Sequence, residues 1–196
     1  SEVGRSVVHV VHNEDWEMQN WITRKKNFVF EQAQFEVVVI LKDYLALTPR
    51  WYQAFKAFGT DWDVQMHQIS TTSGERFLDW MHRHGDGSGK LVHYSVQGHK
   101  TMHVSGAYLV VKKYVADIVK FDESRIGLGL RSDVAWSHEA LDLRKYKYVM
   151  NVGAKVTVFN ERSKFKNARV LCNCHYCLDQ IRITNSSGGQ LAEYEV

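Results

Sequence analysis

The sequence predicts an α/β domain with a mixed, mainly parallel central sheet that is flanked by helices. Residues 37–41, "VVVIL", form a continuous apolar run rich in β-branched residues, which is typical of a strand covered on both faces. A short strand and a helical pattern precede this run, and a second helical pattern follows it. The order along the chain is therefore strand, helix, strand and helix. This alternation is characteristic of α/β domains.

The first half of the chain supplies that alternation. "SVVHVVH" at residues 6–12 predicts a short strand. Residues 20–35 predict a helix because apolar residues recur near helical spacing, with basic residues on the remaining face. After "VVVIL", a second helix is indicated by Thr48 as its N-cap, Pro49 at its first position and Gly59 at its end.

The second half continues with weaker signals. "DWDVQMHQI" predicts a strand, Thr72 and Glu75 form a capping box that predicts a helix start, and "MHVSGAYLVV" predicts a strand in which Gly106 allows a close approach or a bulge. "SDVAWSHEALDLRKY" predicts a helix, and "KYVMNVGAKVTVF" one or two late strands. We assign residues 1–163 to the domain and residues 164–196 to a C-terminal arm.

Composition limits the classes of function. The 196 residues carry 25 basic and 22 acidic side chains, and a net charge of +3 is too small to predict nucleic-acid binding. No apolar run approaches the roughly 18 residues that a membrane span needs, and the N-terminus lacks the pattern of a signal peptide. We therefore expect a soluble protein of the cytoplasm or another reducing compartment.

Several segments together resemble a known family. The run from "WITRKKN" through "VVVILKDY" to "DWDVQMHQI", followed by "GERFLDW", "MHVSGAYLVVKKYV" and "SDVAWS", is similar to the latter two-thirds of a GT-A-type glycosyltransferase domain of the family-2-like kind. The resemblance implies a GT-A-like fold that is incomplete at the N-terminus, a nucleotide-sugar donor and an acceptor of unknown identity. It also implies that the strands for the nucleotide base were lost or lie on another chain, or that the domain binds its donor differently.

The resemblance implies a cation site at the end of "VVVIL". In the family, a basic-Asn element, matched here by "RKKN" at residues 24–27, precedes a strand that delivers an Asp-x-Asp metal motif. Asp43 takes the place of the last acid of that motif, while Leu41 replaces the first. Carboxylate oxygens suit Mn²⁺ or Mg²⁺, which would clamp the donor diphosphate. Lys42 is a further departure, and its positive charge could contact the diphosphate directly.

The resemblance also implies a catalytic base. In "LRSDVAWS", Asp133 matches one acid of the pair that includes the base for the acceptor hydroxyl, whereas Ser132 and Ala135 replace glutamates. By the same comparison, Ser105 and Gly106 would line the acceptor side, and Trp136 would be either a core residue or a wall of the acceptor pocket. The pair of acids in "DWD" at residues 61–63 imitates a metal motif, but it follows the metal strand and is read as surface acids.

Structural interpretations of the same residues stay open. Asp43 could cap a turn at a strand end, and Asp133 could stabilise the dipole of its helix from the first turn. The departures at Leu41, Ser132 and Ala135 agree with an alternative function, in which the chain is a catalytically inactive GT-A-like binding or assembly module within a larger complex.

The three cysteines form a separate cluster. Cys172, Cys174 and Cys177 in "CNCHYC" have a spacing at which thiolates can hold one structural zinc ion, provided that a fourth ligand comes from elsewhere in the fold. The alternative is three unligated thiols. No disulfide framework is expected from so few cysteines in one cluster.

Overall fold

The computed structural model describes residues 21–83, 89–96, 101–126 and 132–159. Its helices are α1 (Ile22–Gln32), α2 (Trp51–Ala57), α3 (Lys113–Ile118), α4 (Ser132–Ser137) and a π-helix (His138–Leu143) that follows α4 directly. Its strands are β1 (Val37–Leu41), β2 (Leu45–Leu47), β3 (Val64–Thr71), β4 (Met81–Arg83), β5 (Gly89–Leu91), β6 (Met102–His103), β7 (Tyr108–Lys112) and β8 (Tyr148–Val158). The predicted strand at residues 6–12 and the arm from residue 164 lie outside the described residues.

The strands form two sheets. The larger has the order β1-β7-β3-β8-β2, and the smaller has the order β5-β4-β6. In the larger sheet, β3 and β8 pair in parallel, whereas β1–β7, β3–β7 and β2–β8 are antiparallel. The α/β class with a mixed sheet is therefore confirmed, and the prediction that the sheet is mainly parallel is wrong.

The error has a physical cause. A continuous apolar run indicates that a strand is buried, but burial carries no information about the direction of its neighbours. Within the described residues, β1 is an edge strand that pairs antiparallel with β7, and Leu41 at its end is 40% exposed.

Strand β7 lies between two hydrophobic cores. Its side chains alternate, with Tyr108 and Val110 in the core that contains Trp51 and Trp80, and Leu109 and Val111 in the core that contains Phe30, Phe121 and Trp136. Successive side chains of a strand point to opposite faces, so the sheet separates the two cores. Helices α1, α3 and α4 contribute to the second of them.

Two local predictions need correction. Helix α2 begins at Trp51, and the Thr48 side chain does not cap it but donates to the Lys155 carbonyl at 3.0 Å. The segment that follows β3 is not helical: the Glu75 amide donates to the Thr71 hydroxyl at 3.1 Å within a turn, and the chain continues into β4. Gly59 ends α2 as predicted, with φ of +87°.

A buried polar network crosses the centre of the larger sheet. The indole N–H of Trp51 lies 2.8 Å from His67 Nδ1 and 2.9 Å from the Tyr108 hydroxyl oxygen, and that hydroxyl lies 2.7 Å from the same ring nitrogen. His67 Nε2 contacts the Gln65 carbonyl oxygen, which also accepts from Asn151 Nδ2 at 3.4 Å. Because the Gln65 carbonyl oxygen only accepts, the imidazole proton lies on Nε2 and Nδ1 is the acceptor.

The "GERFLDW" segment is structural. The Asp79 carboxylate is fully buried and accepts 2.6 Å hydrogen bonds from the Trp80 amide, the Tyr94 hydroxyl and the Arg76 guanidinium. Arg76 also stacks on Tyr94, 3.9 Å from its ring centroid. A buried carboxylate needs such compensation, and this one holds β4 to the loop before it.

Among the described residues, none of the helices combines the length and the apolar character that crossing a bilayer demands.

Candidate functional site

The end of β1 and the start of β7 meet at one edge of the larger sheet. Leu41 pairs with Tyr108, and beyond this pair the Lys42 amide donates to the Ala107 carbonyl at 3.0 Å. Asp43 follows and is exposed. The polar strand end that the sequence singled out therefore lies beside the segment that contains Ser105 and Gly106.

Gly106 is in close contact with Asp133. A Cβ atom built on Gly106 would lie 3.1 Å from Asp133 Oδ2, so the carboxylate sits against the bare backbone at this position. The predicted single strand is wrong, because β6 and β7 belong to different sheets and Gly106 lies between them. The close approach predicted as one alternative at Gly106 is present, and it brings together two residues that are 27 positions apart in sequence. Neighbouring Ser105 is buried, and its hydroxyl accepts from the Ala107 amide at 3.2 Å.

Helix α4 is fixed over this segment by Ser137. The Ser137 hydroxyl donates to the Asp133 carbonyl at 2.6 Å and accepts from the Val104 amide at 2.9 Å. One buried hydroxyl thus joins α4 to the chain between β6 and β7. This bridge positions the first turn of α4, where Asp133 lies.

Lys26 is a buried basic residue that lies near Asp133. Its side chain is 6% exposed, and Nζ lies 4.5 Å from the centroid of the Phe121 ring. Burial lowers the pKa of Lys26 to about 8; the negative charge of Asp133 acts against this shift, and the positive charge of Lys42 adds to it. Lys26, Lys42 and Asp133 are therefore close enough to interact electrostatically.

Lys26 was not singled out from the sequence, although it lies within "RKKN". Its burial depends on a distant segment, which the neighbouring Asn27 holds in place. The Asn27 amide nitrogen donates to the Phe121 carbonyl at 2.8 Å, and its oxygen accepts from the Phe121 amide at 2.8 Å. Asn27 thus ties α1 to the segment whose aromatic ring lies under the Lys26 ammonium group.

His103 is the second buried titratable residue that sequence analysis missed in this role. It is 4% exposed, and its Nδ1 has no hydrogen-bond partner among the described residues. Burial lowers the pKa of His103, and the Asp133 charge counteracts this effect.

Trp136 lies in the hydrophobic core, which is one of the two positions considered for it. Its ring stacks on Phe121 with centroids 5.7 Å apart, and its indole N–H donates to the Val119 carbonyl at 3.0 Å. Its contribution to the site is to pack α4 against the hydrophobic core.

The acids in "DWD" lie at the other end of β7 from Gly106. The Asp63 carbonyl accepts from the amide of Lys112, the last residue of β7, at 3.0 Å. The Asp61 carboxylate pairs with Lys147 at 2.5 Å, and Asp63 accepts from the Lys147 amide at 2.6 Å. These contacts agree with their interpretation as surface acids.

Asp43 is a single exposed carboxylate at the end of β1. In the described part of the chain, no cluster of three or more histidine, cysteine, aspartate or glutamate side chains is arranged to hold a metal. Mg²⁺ and similar ions are commonly held by one or two carboxylates together with substrate phosphates and water, and an exposed Asp43 fits that mode. Cys172, Cys174 and Cys177 lie outside the described residues.

Comparison of the sequence with protein-family models and with curated proteins gives no match. A function for this chain therefore has to follow from the residues of the site.

Proposed function

We propose that this chain is a GT-A-like glycosyltransferase that transfers a sugar from a nucleotide-sugar donor to a hydroxyl group of an acceptor. The observation that carries the proposal is the contact between Gly106 and Asp133 beside the end of β1. Residues selected from three separate sequence segments share one location. Of the two selected acids, Asp133 takes part in this contact, and Asp43 follows Lys42 at the end of β1.

Asp133 is the proposed general base. It would take the proton of the acceptor hydroxyl as that oxygen attacks the anomeric carbon, while the bond from this carbon to the diphosphate breaks. The bonding electron pair leaves with the nucleoside diphosphate. The role requires a carboxylate whose position is fixed, and both the Ser137 bridge and the close packing on Gly106 supply that constraint.

Positive charge stabilises the leaving diphosphate in this proposal. Lys42 lies next to Asp43 at the strand end, and the buried Lys26 is close enough to respond to its charge. Buried or partly buried cations interact more strongly with a developing anion than cations in bulk water do. Two lysines near one carboxylate therefore suit an anionic leaving group.

Asp43 would hold the divalent cation, Mn²⁺ or Mg²⁺, through a carboxylate oxygen. When bound, such an ion neutralises part of the diphosphate charge and orients the donor. Lys26 and Lys42 already provide positive charge. We therefore expect the ion to strengthen donor binding, and we expect some donor binding to remain without it.

The first experiment measures donor binding by calorimetry, with UDP-glucose, UDP-galactose, UDP-N-acetylglucosamine and GDP-mannose, each with and without Mn²⁺. At least one donor should bind, and the Mn²⁺-dependent part of the affinity should disappear in Asp43→Ala. Asp117→Asn, which alters an exposed acid on α3, serves as the control and should bind like the original chain. If none of the four donors binds, either to the chain alone or to the chain with any co-purifying chain, the proposal is refuted.

The second experiment separates an enzyme from a binding module. Asp133→Asn should retain donor binding. Its rate of sugar transfer and its slow rate of donor hydrolysis should both fall by at least about 100-fold, because a general base contributes on that order. Donor binding without turnover in the original chain would instead favour the inactive module. The presence of a single carboxylate at the end of β1 is the observation that keeps this second candidate in consideration.

A further inference from the structure

A small polar cleft lies beside Asp133, between β4, β6 and the two consecutive helices. Its volume is about 20 Å³, and its lining includes Arg83, Thr101, His103, Val134, His138 and Asp142. A cavity of this size has room for roughly one water-sized group. Val134 immediately follows the proposed base, so the cleft opens next to the site described above.

The strongest indication of a ligand is the unpaired nitrogen of His103. Nδ1 is buried without a partner among the described residues, although buried polar atoms in native proteins are nearly always hydrogen-bonded. The Nε2 edge of the ring lies against the bare backbone of Gly89, where an added Cβ atom would be 3.2 Å from Nε2, and the ring also interacts with the Thr101 backbone. The imidazole is therefore confined on one side, and a group in the cleft is the natural partner for its free nitrogen.

The second indication is the π-helix. His138 and Asp142 both lie on it and both line the cleft. π-helical turns are rare, and they occur often at functional sites because the wider turn redirects side chains. Here the wider turn follows directly on α4, which carries Asp133.

The charges of the cleft select the kind of group that fits. Arg83 would repel a cation, and the Asp142 carboxylate would repel an anion. A neutral hydroxyl can donate to Asp142 and accept from Arg83 or Thr101 at the same time. Since an imidazole nitrogen is a donor or an acceptor according to its tautomer, His103 can pair with either side of a hydroxyl.

We infer that this cleft binds a second hydroxyl group of the acceptor and so orients the reactive hydroxyl toward Asp133. The inference rests on the proposed function and specifies the acceptor as a molecule with at least two hydroxyl groups, such as a sugar. His103, His138 and Asp142 are positioning residues in this scheme, because none of them touches the reacting atoms.

The test follows the histidine ring signals by NMR in protein labelled at histidine. The probes are methyl glucoside, methyl galactoside and methyl mannoside, each added without donor. At least one glycoside should shift the ring signals of His103 and His138 in a saturable way. Asp142→Asn should weaken that glycoside about tenfold, because it removes a hydrogen bond to a charged acceptor.

Controls make the result specific. Asp117→Asn is the control and should bind the glycoside like the original chain. His138→Gln changes an exposed residue of the cleft lining, so it should weaken the glycoside without putting the fold at risk. Equal affinities for Asp142→Asn and the original chain, or no saturable shift with any glycoside, would overturn the inference and leave the cleft as a water site. A glycoside response in a chain that binds no nucleotide sugar would support the subsite while refuting the proposed donor. Donor binding and transfer without any glycoside response would refute the subsite alone.

Discussion

At the scale of single residues, the sequence pointed to one contact and missed the buried titratable groups beside it. Asp43, Gly106 and Asp133 were selected by the resemblance to a glycosyltransferase domain, and the last two are in contact. Lys26 and His103 were not selected for the site, because their importance depends on burial by distant segments. A lysine in a basic helix reads as a solvated side chain until Phe121 is brought against it.

The contact at Gly106 predicts the effect of adding one methyl group. In Gly106→Ala, the new Cβ would press on Asp133 Oδ2 at 3.1 Å, so the carboxylate has to move by a few tenths of an ångström. Transfer should fall by about 10- to 100-fold, since catalysis depends steeply on position. Thermal unfolding should change little.

The control for this prediction is Gly153→Ala, where the nearest atom to the added Cβ is 3.4 Å away and contact is ordinary. This variant should keep its transfer rate. A Gly106→Ala chain that transfers sugar at the original rate would show that Asp133 does not need its present position.

Under the proposed function, donor binding should depend on pH through Lys26. Its pKa is lowered to about 8, so the ammonium form that attracts a diphosphate predominates below pH 8 and is lost above it. Donor affinity should therefore decline as pH rises from 7 to 9, and Lys26→Met should reduce it about tenfold at pH 7 and remove the decline. Calorimetry across this range measures both effects.

Lys56→Met is the matched control, because Lys56 is exposed at the end of α2. It should preserve both the affinity and its decline with pH. If Lys26→Met shows the same pH profile as the original chain, another group is responsible for the titration.

At the scale of secondary structure, the sequence predicted which segments are helices or strands more successfully than where they begin or turn. Helix α1, β1, β3 and β8 lie where periodicity indicated. The capping box at Thr72 does not begin a helix. The Thr71 hydroxyl instead accepts from the Glu75 amide within a turn, and the neighbouring residues extend into a sheet. Cap residues serve turns as readily as helices, so the motif alone does not decide between them.

Asn27 shows how one side chain fixes the relation between two elements. It makes two 2.8 Å hydrogen bonds with the Phe121 backbone and a third with the Glu123 carboxylate. Asn27→Ala should destabilise the protein by about 3 kcal/mol, because buried backbone groups lose their partners. Urea unfolding measures this loss.

Donor binding should weaken in the same variant, since Phe121 packs against Lys26. Gln32→Ala, at the exposed end of α1, should unfold within about 0.5 kcal/mol of the original chain. A comparable loss in both variants would mean that helix propensity, and not the hydrogen bonds, determines the result.

At the scale of the whole molecule, the class of fold was predictable and the strand directions were not. Apolar patterning agrees with burial in β7, which is buried on both faces, but it overstates burial in β1, where only Val38 is buried. Pairing partners depend on contacts between segments that are far apart in sequence. The same limit hid the buried network around His67, in which Trp51, Tyr108 and Gln65 come from three different elements.

That network predicts how the stability of the whole fold depends on pH. Burial lowers the pKa of His67 to about 3, because the core solvates a charged imidazolium poorly. In the unfolded chain the same histidine titrates near its ordinary pKa of about 6.5. Between these values the unfolded state binds the additional proton, and the free energy of unfolding should therefore fall as pH is lowered from about 6.5 toward 3, at up to about 1.4 kcal/mol per pH unit from this residue.

Urea unfolding at pH 7, 6, 5 and 4 measures the slope. His67→Asn, whose amide oxygen can still accept from Trp51 and Tyr108 but cannot titrate, should be less stable at pH 7 and should show a shallower slope by about one proton. His138→Asn changes an exposed histidine and should keep the original slope. NMR of the original chain at pH 5 should also find His67 neutral with its proton on Nε2, and a charged ring at that pH would contradict the account even if the variant failed to fold.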